Sequence, residues 1–170
     1  AARKKRSGGK GFLDWFTPTN LVRLQKIGGI VLLLFSVYLL LALVSHFFSG
    51  AADQSAGSLR YGAERIENIG GALGASLARL LVTRGYGIIS MVVPPYLFLI
   101  ALAVLGTVGW RLVARWLPHF FFGIHWVSSL FDALNRSFKL GQRDLGGDVG
   151  NSLNDWMSYF VGMLGVWFIL

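Results

Sequence analysis

The chain has 170 residues, 54% of them hydrophobic and only 14% charged, with a formal net charge of +8. Soluble domains carry about 25% charged residues, and here the charges fall in blocks between long apolar runs, which excludes a soluble globular class and leaves an all-α integral membrane protein. No cysteine is present, so neither a disulfide framework nor a thiolate metal site can be built.

Residues 1–20 read as a basic cytoplasmic tail and interfacial anchor. Arg3, Lys4, Lys5 and Arg6 form a cationic block with few large apolar neighbours, a composition expected to be disordered alone. Such a block sets topology and attracts anionic lipid, at about 1 kcal/mol per charge near a surface. Direct DNA binding by this tail would be unspecific. Phe12, Trp15 and Phe16 suit an interface, and Thr19 or Asn20 is expected to cap the first helix.

Residues 21–170 read as a transmembrane domain. The first span, 27–48, is uncharged over 22 residues, about 33 Å of helix against a hydrocarbon core of about 30 Å. A second span is expected over 85–110, kinked by Pro94 and Pro95. The third, 112–134, has an uncharged run of only 16 residues from Trp116 to Phe131. Arg111 and Arg115 must snorkel at its start, and Pro118 is expected near the helix start, where it is tolerated. An aromatic helix lying in the interface is the alternative. The fourth span, 155–170, is still apolar at Leu170, so the crossing is expected to continue in residues beyond it.

Loop charges orient these spans. Residues 1–26 carry +6, 49–84 carry +1, the short 111–115 loop +2 and 132–155 carry −1. The positive-inside rule puts both termini and the 110–115 loop in the cytoplasm.

A glycine-rich signature occurs twice, 76 positions apart: Ile69-Gly70-Gly71-Ala72-Leu73-Gly74-Ala75-Ser76-Leu77 and Leu145-Gly146-Gly147-Asp148-Val149-Gly150-Asn151-Ser152-Leu153. Neither copy ends in Gly-Lys-Ser/Thr or follows a strand pattern, so a phosphate loop is rejected. Small residues four apart allow close helix approach. Gly70, Gly71, Gly74, Gly146, Gly147 and Gly150 are therefore read as helix-packing residues, within one subunit or between subunits of a ring. Each copy is expected to form an outer-face amphipathic helix, about 59–83 and 144–154. The resulting fold class is four transmembrane helices with two such outer helices, arranged as a parallel internal repeat.

His46, His119 and His125 lack metal-pair spacing. His125 is the candidate polar site in the membrane interior, with Asp132 seven residues on as a partner in a proton path; the alternative is a histidine hydrogen-bonded to a neighbouring span. No catalytic, cofactor or metal constellation is found.

The basic tail, the four spans and the Gly-Gly-x-x-Gly-x-x-Leu helix resemble the N-terminal membrane domain of the FtsK/SpoIIIE DNA translocases. The most specific stretch is Asn68-Ile69-Gly70-Gly71-Ala72-Leu73-Gly74-Ala75. The resemblance implies a bacterial inner-membrane anchor at the division septum. It implies a hexameric ring, partners among divisome membrane proteins, and a DNA-translocating motor beyond Leu170 that would use ATP and Mg. On that reading this chain is not itself an enzyme. A small transporter or channel subunit, and a division scaffold without a motor, are the alternatives.

Overall fold

The computed structural model describes residues 18–55, 68–140 and 144–170. Arg3, Lys4, Lys5 and Arg6, and positions 59–67 of the first expected outer helix, lie outside them. Within them all regular structure is helical: α1 (Pro18–Ser55), α2 (Gly71–Leu81), α3 (Val93–Val104), α4 (Trp110–Phe138) and α5 (Gly147–Ile169).

α1 begins at Pro18, so Thr19 and Asn20 lie inside its first turn rather than at its cap. Proline is favoured there because the first amides of a helix have no intrahelical acceptor. The helix is apolar on nearly every side. Leu24, Val31, Leu34 and Leu41 remain exposed, while Ser36, Leu39, Ala42 and Leu43 are buried. A helix apolar all round with one buried stripe is suited to lipid on its other faces.

α1 and α3 run antiparallel. At one end Gln25 Nε2 donates to the Val104 carbonyl at 2.7 Å, and a Cβ at Gly29 would lie 2.7 Å from the Leu105 side chain. At the other end α1 meets the first glycine turn. Between them Leu39 and Leu43 pack with Ala78 and Val82, flanked by Leu77, Leu81, Met91, Val93 and Leu97.

The second apolar run departs from the expected single kinked helix over 85–110. α2 gives way to a π-turn at Val82–Tyr86 and a 3₁₀ stretch at Gly87–Val92 before α3 starts. Pro94 and Pro95 occupy the first turn of α3 and kink nothing. Their missing amides fall where no intrahelical acceptor exists. Ser90 Oγ donates to the Leu81 carbonyl, satisfying one acceptor freed by the break. The helix then ends at Val104, short of Trp110.

α4 is longer than expected, 29 residues, and holds Pro118 in its interior rather than near its start. α5 runs through the second glycine signature without a separate outer helix over 144–154, and breaks instead at Gly162 (φ 66°, ψ 171°). Beyond that break Trp167 Nε1 donates to Ser137 Oγ at 3.2 Å, laying the last turns against the C-terminal end of α4. Among the described residues two stretches are long and apolar enough to cross a membrane, Pro18–Phe48 and Gly71–Val104. α4 falls short because Pro118, two histidines and two serines interrupt its apolar run, which Arg115 and Asp132 bound.

Candidate functional site

The two glycine signatures fold alike. Gly71 and Gly147 both adopt positive φ, 61° and 65°, a conformation that side chains with a Cβ resist. Gly74 N donates to the Gly70 carbonyl at 3.1 Å, and Gly150 N to the Gly146 carbonyl at 3.2 Å. Ser76 Oγ returns to the Ala72 carbonyl and Ser152 Oγ to the Asp148 carbonyl, both at 2.8 Å. The sequence repeat is thus a repeat of backbone geometry.

Each turn is seated on the long helix that precedes it. In the first copy Tyr38 Oη donates to the Gly70 carbonyl at 2.8 Å. Asn68, 4% exposed, donates from Nδ2 to the Ala42 carbonyl at 3.0 Å and accepts the Gly70 amide at 2.8 Å. Ser45 Oγ accepts the Ile69 amide at 2.9 Å. A Cβ on Gly74 would stand 2.8 Å from Asn68 Oδ1 and 3.1 Å from Ala42 Cβ. In the second copy Ser128 Oγ donates to the Gly146 carbonyl at 2.6 Å. A Cβ on Gly146 would stand 2.6 Å from Asp132 Cβ, and one on Gly150 would be 2.7 Å from Ser128 Oγ. Gly71, by contrast, has open space around it.

The two halves meet backbone to backbone. Ile88 N donates to the Leu145 carbonyl at 3.1 Å. A Cβ on Gly87 would lie 2.5 Å from the Leu145 carbonyl carbon, and one on Gly147 would lie 2.5 Å from Gly87 N and 2.6 Å from the Val82 carbonyl oxygen. Asp144 occupies the position of Asn68 in the second copy. Its Oδ1 accepts Thr83 Oγ1 at 2.8 Å, and its Oδ2 lies 3.6 Å from His46 Nε2, too far for a hydrogen bond. His46 is 3% exposed, and neither ring nitrogen is hydrogen-bonded.

A polar cluster holds α4 against α5. Asn154 is wholly buried: Nδ2 donates to the Ser129 carbonyl and to Asp132 Oδ2, both at 2.8 Å. Arg136 Nε donates to Asp132 Oδ2 at 2.6 Å, its Nη1 to Asp155 Oδ1 at 2.6 Å, and its Nη2 to the Asn151 carbonyl at 2.9 Å. A cavity of about 390 Å³ opens beside the cluster, lined by Asp132, Asn135, Gly147, Asp148 and Asn151. Charges in low dielectric persist when each is paired and hydrogen-bonded, and this cluster meets that condition. Sequence reading missed Arg136 and Asn154; their signal was polar residues at four-residue and helical spacing on two consecutive segments.

His125 and Asp132 share no partner among the described residues. The Phe121 carbonyl can only accept, so His125 Nδ1 donates to it at 2.8 Å. In the neutral ring Nε2 then accepts from Tyr86 Oη at 3.2 Å. The Tyr86 ring meets the imidazole edge-on at 4.9 Å. His119 Nδ1 likewise donates to the Arg115 carbonyl at 3.1 Å. Arg111 and Arg115 are exposed on the first turns of α4. No group of three metal-ligating His, Cys, Asp or Glu occurs among the described residues.

Comparison with curated proteins and with solved structures gives no match. The family model for the 4TM region of DNA translocase FtsK/SpoIIIE matches residues 22–170, which is all five helices apart from the first turn of α1. A chain helical throughout its described regular structure, with runs long and apolar enough to cross a membrane and two equivalent glycine turns, matched almost end to end, belongs to the FtsK/SpoIIIE family as its 4TM membrane region.

Proposed function

We propose that this chain is the membrane anchor and assembly region of a bacterial DNA translocase that couples chromosome segregation to cell division. The observation that carries the reading is the family match over residues 22–170. Its mechanism is tethering. Holding motor subunits at one membrane patch raises their effective concentration and favours ring closure without any residue here turning over.

Four crossings are assigned to α1, the α2–α3 stretch, α4 and α5. The basic tail and the 110–115 loop face the cytoplasm by the positive-inside rule. The location is the inner membrane at the septum. The partners are further copies of the chain in a hexameric ring, other divisome membrane proteins and anionic lipid. DNA would engage the separate motor, which would use ATP and Mg. The glycines at 70, 74, 146 and 150 contribute to assembly by holding each protomer's helices close; their near neighbours are within the chain.

A transporter would need a charge free to bind cargo at mid-membrane, whereas Asp132 and Arg136 pair with each other. The deciding experiment is to express the chain fused to a fluorescent protein in dividing bacteria. The expected result is a band at the septum in constricting cells. Even fluorescence around the whole envelope would overturn the localising role.

A further inference from the structure

The repeat that aligns the two glycine turns also aligns two helix faces of opposite charge. At the offset of 76 positions Ala72 corresponds to Asp148, Ala75 to Asn151, Arg79 to Asp155 and Leu80 to Trp156. In each copy a buried stripe seats the helix within its own chain: Gly74 and Ala78 on α2, Gly150 and Asn154 on α5. Arg79 and Asp155 each stand one residue past that stripe, about 100° around the helix. They share that side with Ala72 and Asp148, which are equivalent and both exposed.

The charges on these faces are not satisfied within the chain. Among the described residues the ion pairs are His46 with Asp144, and Arg136 with Asp132 and Asp155. Arg79, Arg84 and Asp148 take part in none. Arg84 and Asp148 are exposed and Arg79 is half-buried. Asp155 is exposed and engages Arg136 through Oδ1 alone. Beside it lies the cavity of about 390 Å³, into which Asp132, Asp148 and Asn151 face. The α5 side thus carries Asp132, Asp148 and Asp155 against the single guanidinium of Arg136. The α2 side carries Arg79 and Arg84, and no acidic residue occurs between Glu67 and Asp132.

We propose that these two faces meet between copies of the chain, with Arg79 of one copy entering the acidic face of the next between Asp148 and Asp155. The contact rests on the assembly reading above and names the surface that would carry it. A parallel repeat relates its halves by rotation about an axis along the membrane normal, so the two faces lie at one depth and point in different directions. Arg79 is then level with Asp155. Helical side chains lean toward the N-terminus of their helix, which carries the guanidinium to the level of Asn151, between the two carboxylates. Leu80 and Trp156 are both exposed and flank the pair, so their apolar surface would exclude water from it and strengthen it. A two-fold dimer through either face alone would set Arg79 against Arg79 or Asp148 against Asp148. Opposite charge on the two faces selects the head-to-tail contact instead, which is the kind that closes a ring.

Charge exchange is the test. The unaltered chain, purified in a mild detergent and sized by light scattering, should form an oligomer of its 18.7 kDa protomer. Arg79→Glu and Asp148→Lys should each raise the protein concentration needed for assembly by roughly tenfold or more, the worth of one interfacial charge pair. Helix content should stay unchanged, because neither side chain is paired within the protomer. Arg79→Glu combined with Asp148→Lys should recover assembly. An oligomer that survives both single changes, or a double variant no better than the singles, would overturn the contact. Loss with Arg79→Glu but not with Asp148→Lys would give Arg79 to a lipid phosphate and overturn it equally. A monomeric unaltered chain would overturn the assembly reading itself, and this contact with it.

Discussion

Ser129 and Asn154 bond each other twice: Ser129 Oγ donates to Asn154 Oδ1 at 2.6 Å, and Asn154 Nδ2 donates to the Ser129 carbonyl at 2.8 Å. Both side chains are buried. The pair fixes the register of α5 on α4, since a slip by one residue would part the buried Ser129 hydroxyl and Asn154 carboxamide from each other.

Asn154→Leu is therefore expected to destabilise the chain by about 2 kcal/mol, reflecting three lost bonds at the modest net worth of interhelical hydrogen bonds in membranes. Asn154→Asp should cost more, because its carboxylate would face Asp132, whose Oδ2 now accepts the Asn154 amide at 2.8 Å. Thermal unfolding in a mild detergent reads both; equal melting of Asn154→Leu and the unaltered chain would contradict the register role.

The glycines separate into two groups by what surrounds them. Gly28 has nothing within 4 Å of an added Cβ, whereas one at Gly150 would lie 2.8 Å from the Ser128 carbonyl carbon. Gly28→Ala should stabilise α1 by about 0.5 to 1 kcal/mol through lost unfolded-state freedom. Gly150→Ala should cost about 1 to 3 kcal/mol, because a backbone carbonyl cannot swing aside as a side chain can. Melting temperatures moving in opposite directions would agree. A stable Gly150→Leu protein with a smaller oligomer would instead put this glycine between subunits.

Ser76 and Ser152 occupy equivalent places in the two copies, each bonded to the carbonyl four residues earlier. A parallel repeat requires that both face the same side of the membrane. The chain has no cysteine of its own, so single Ser76→Cys, Ser152→Cys and Thr107→Cys substitutions can be labelled with an impermeant maleimide. Labelling of the first two from outside the cell and of the third only after lysis is expected. Opposite accessibility of the two serine positions would dismiss the parallel arrangement.

Tyr86→Phe removes the hydroxyl that reaches His125 at 3.2 Å but keeps the edge-on ring contact. It should cost about 0.5 to 1 kcal/mol. His125→Phe should leave cells dividing normally, since the imidazole is tied to Phe121 and Tyr86 and not to Asp132. A division defect with unchanged melting would give the imidazole a role beyond packing.

By itself, the sequence determined the class of environment and the repeat. Charge scarcity and unbroken apolar runs leave no aqueous surface, and three glycines, a serine and a leucine recur at a fixed offset. Those are properties of composition and spacing, which need no partner to be read. Only the tertiary structure decided where helices stop. Pro94 and Pro95 start α3 because Gly85 and Gly87 had already broken the preceding turns, and Gly87 does so where the Leu145 and Gly146 backbone packs against it. Asn154 and Arg136 read as ordinary polar residues in the chain. Their role exists only because α5 crosses α4 at Ser128–Arg136, where a buried donor must find its acceptor on another helix. Contacts of that kind depend on which faces meet, and one-dimensional spacing carries the faces but not the meeting.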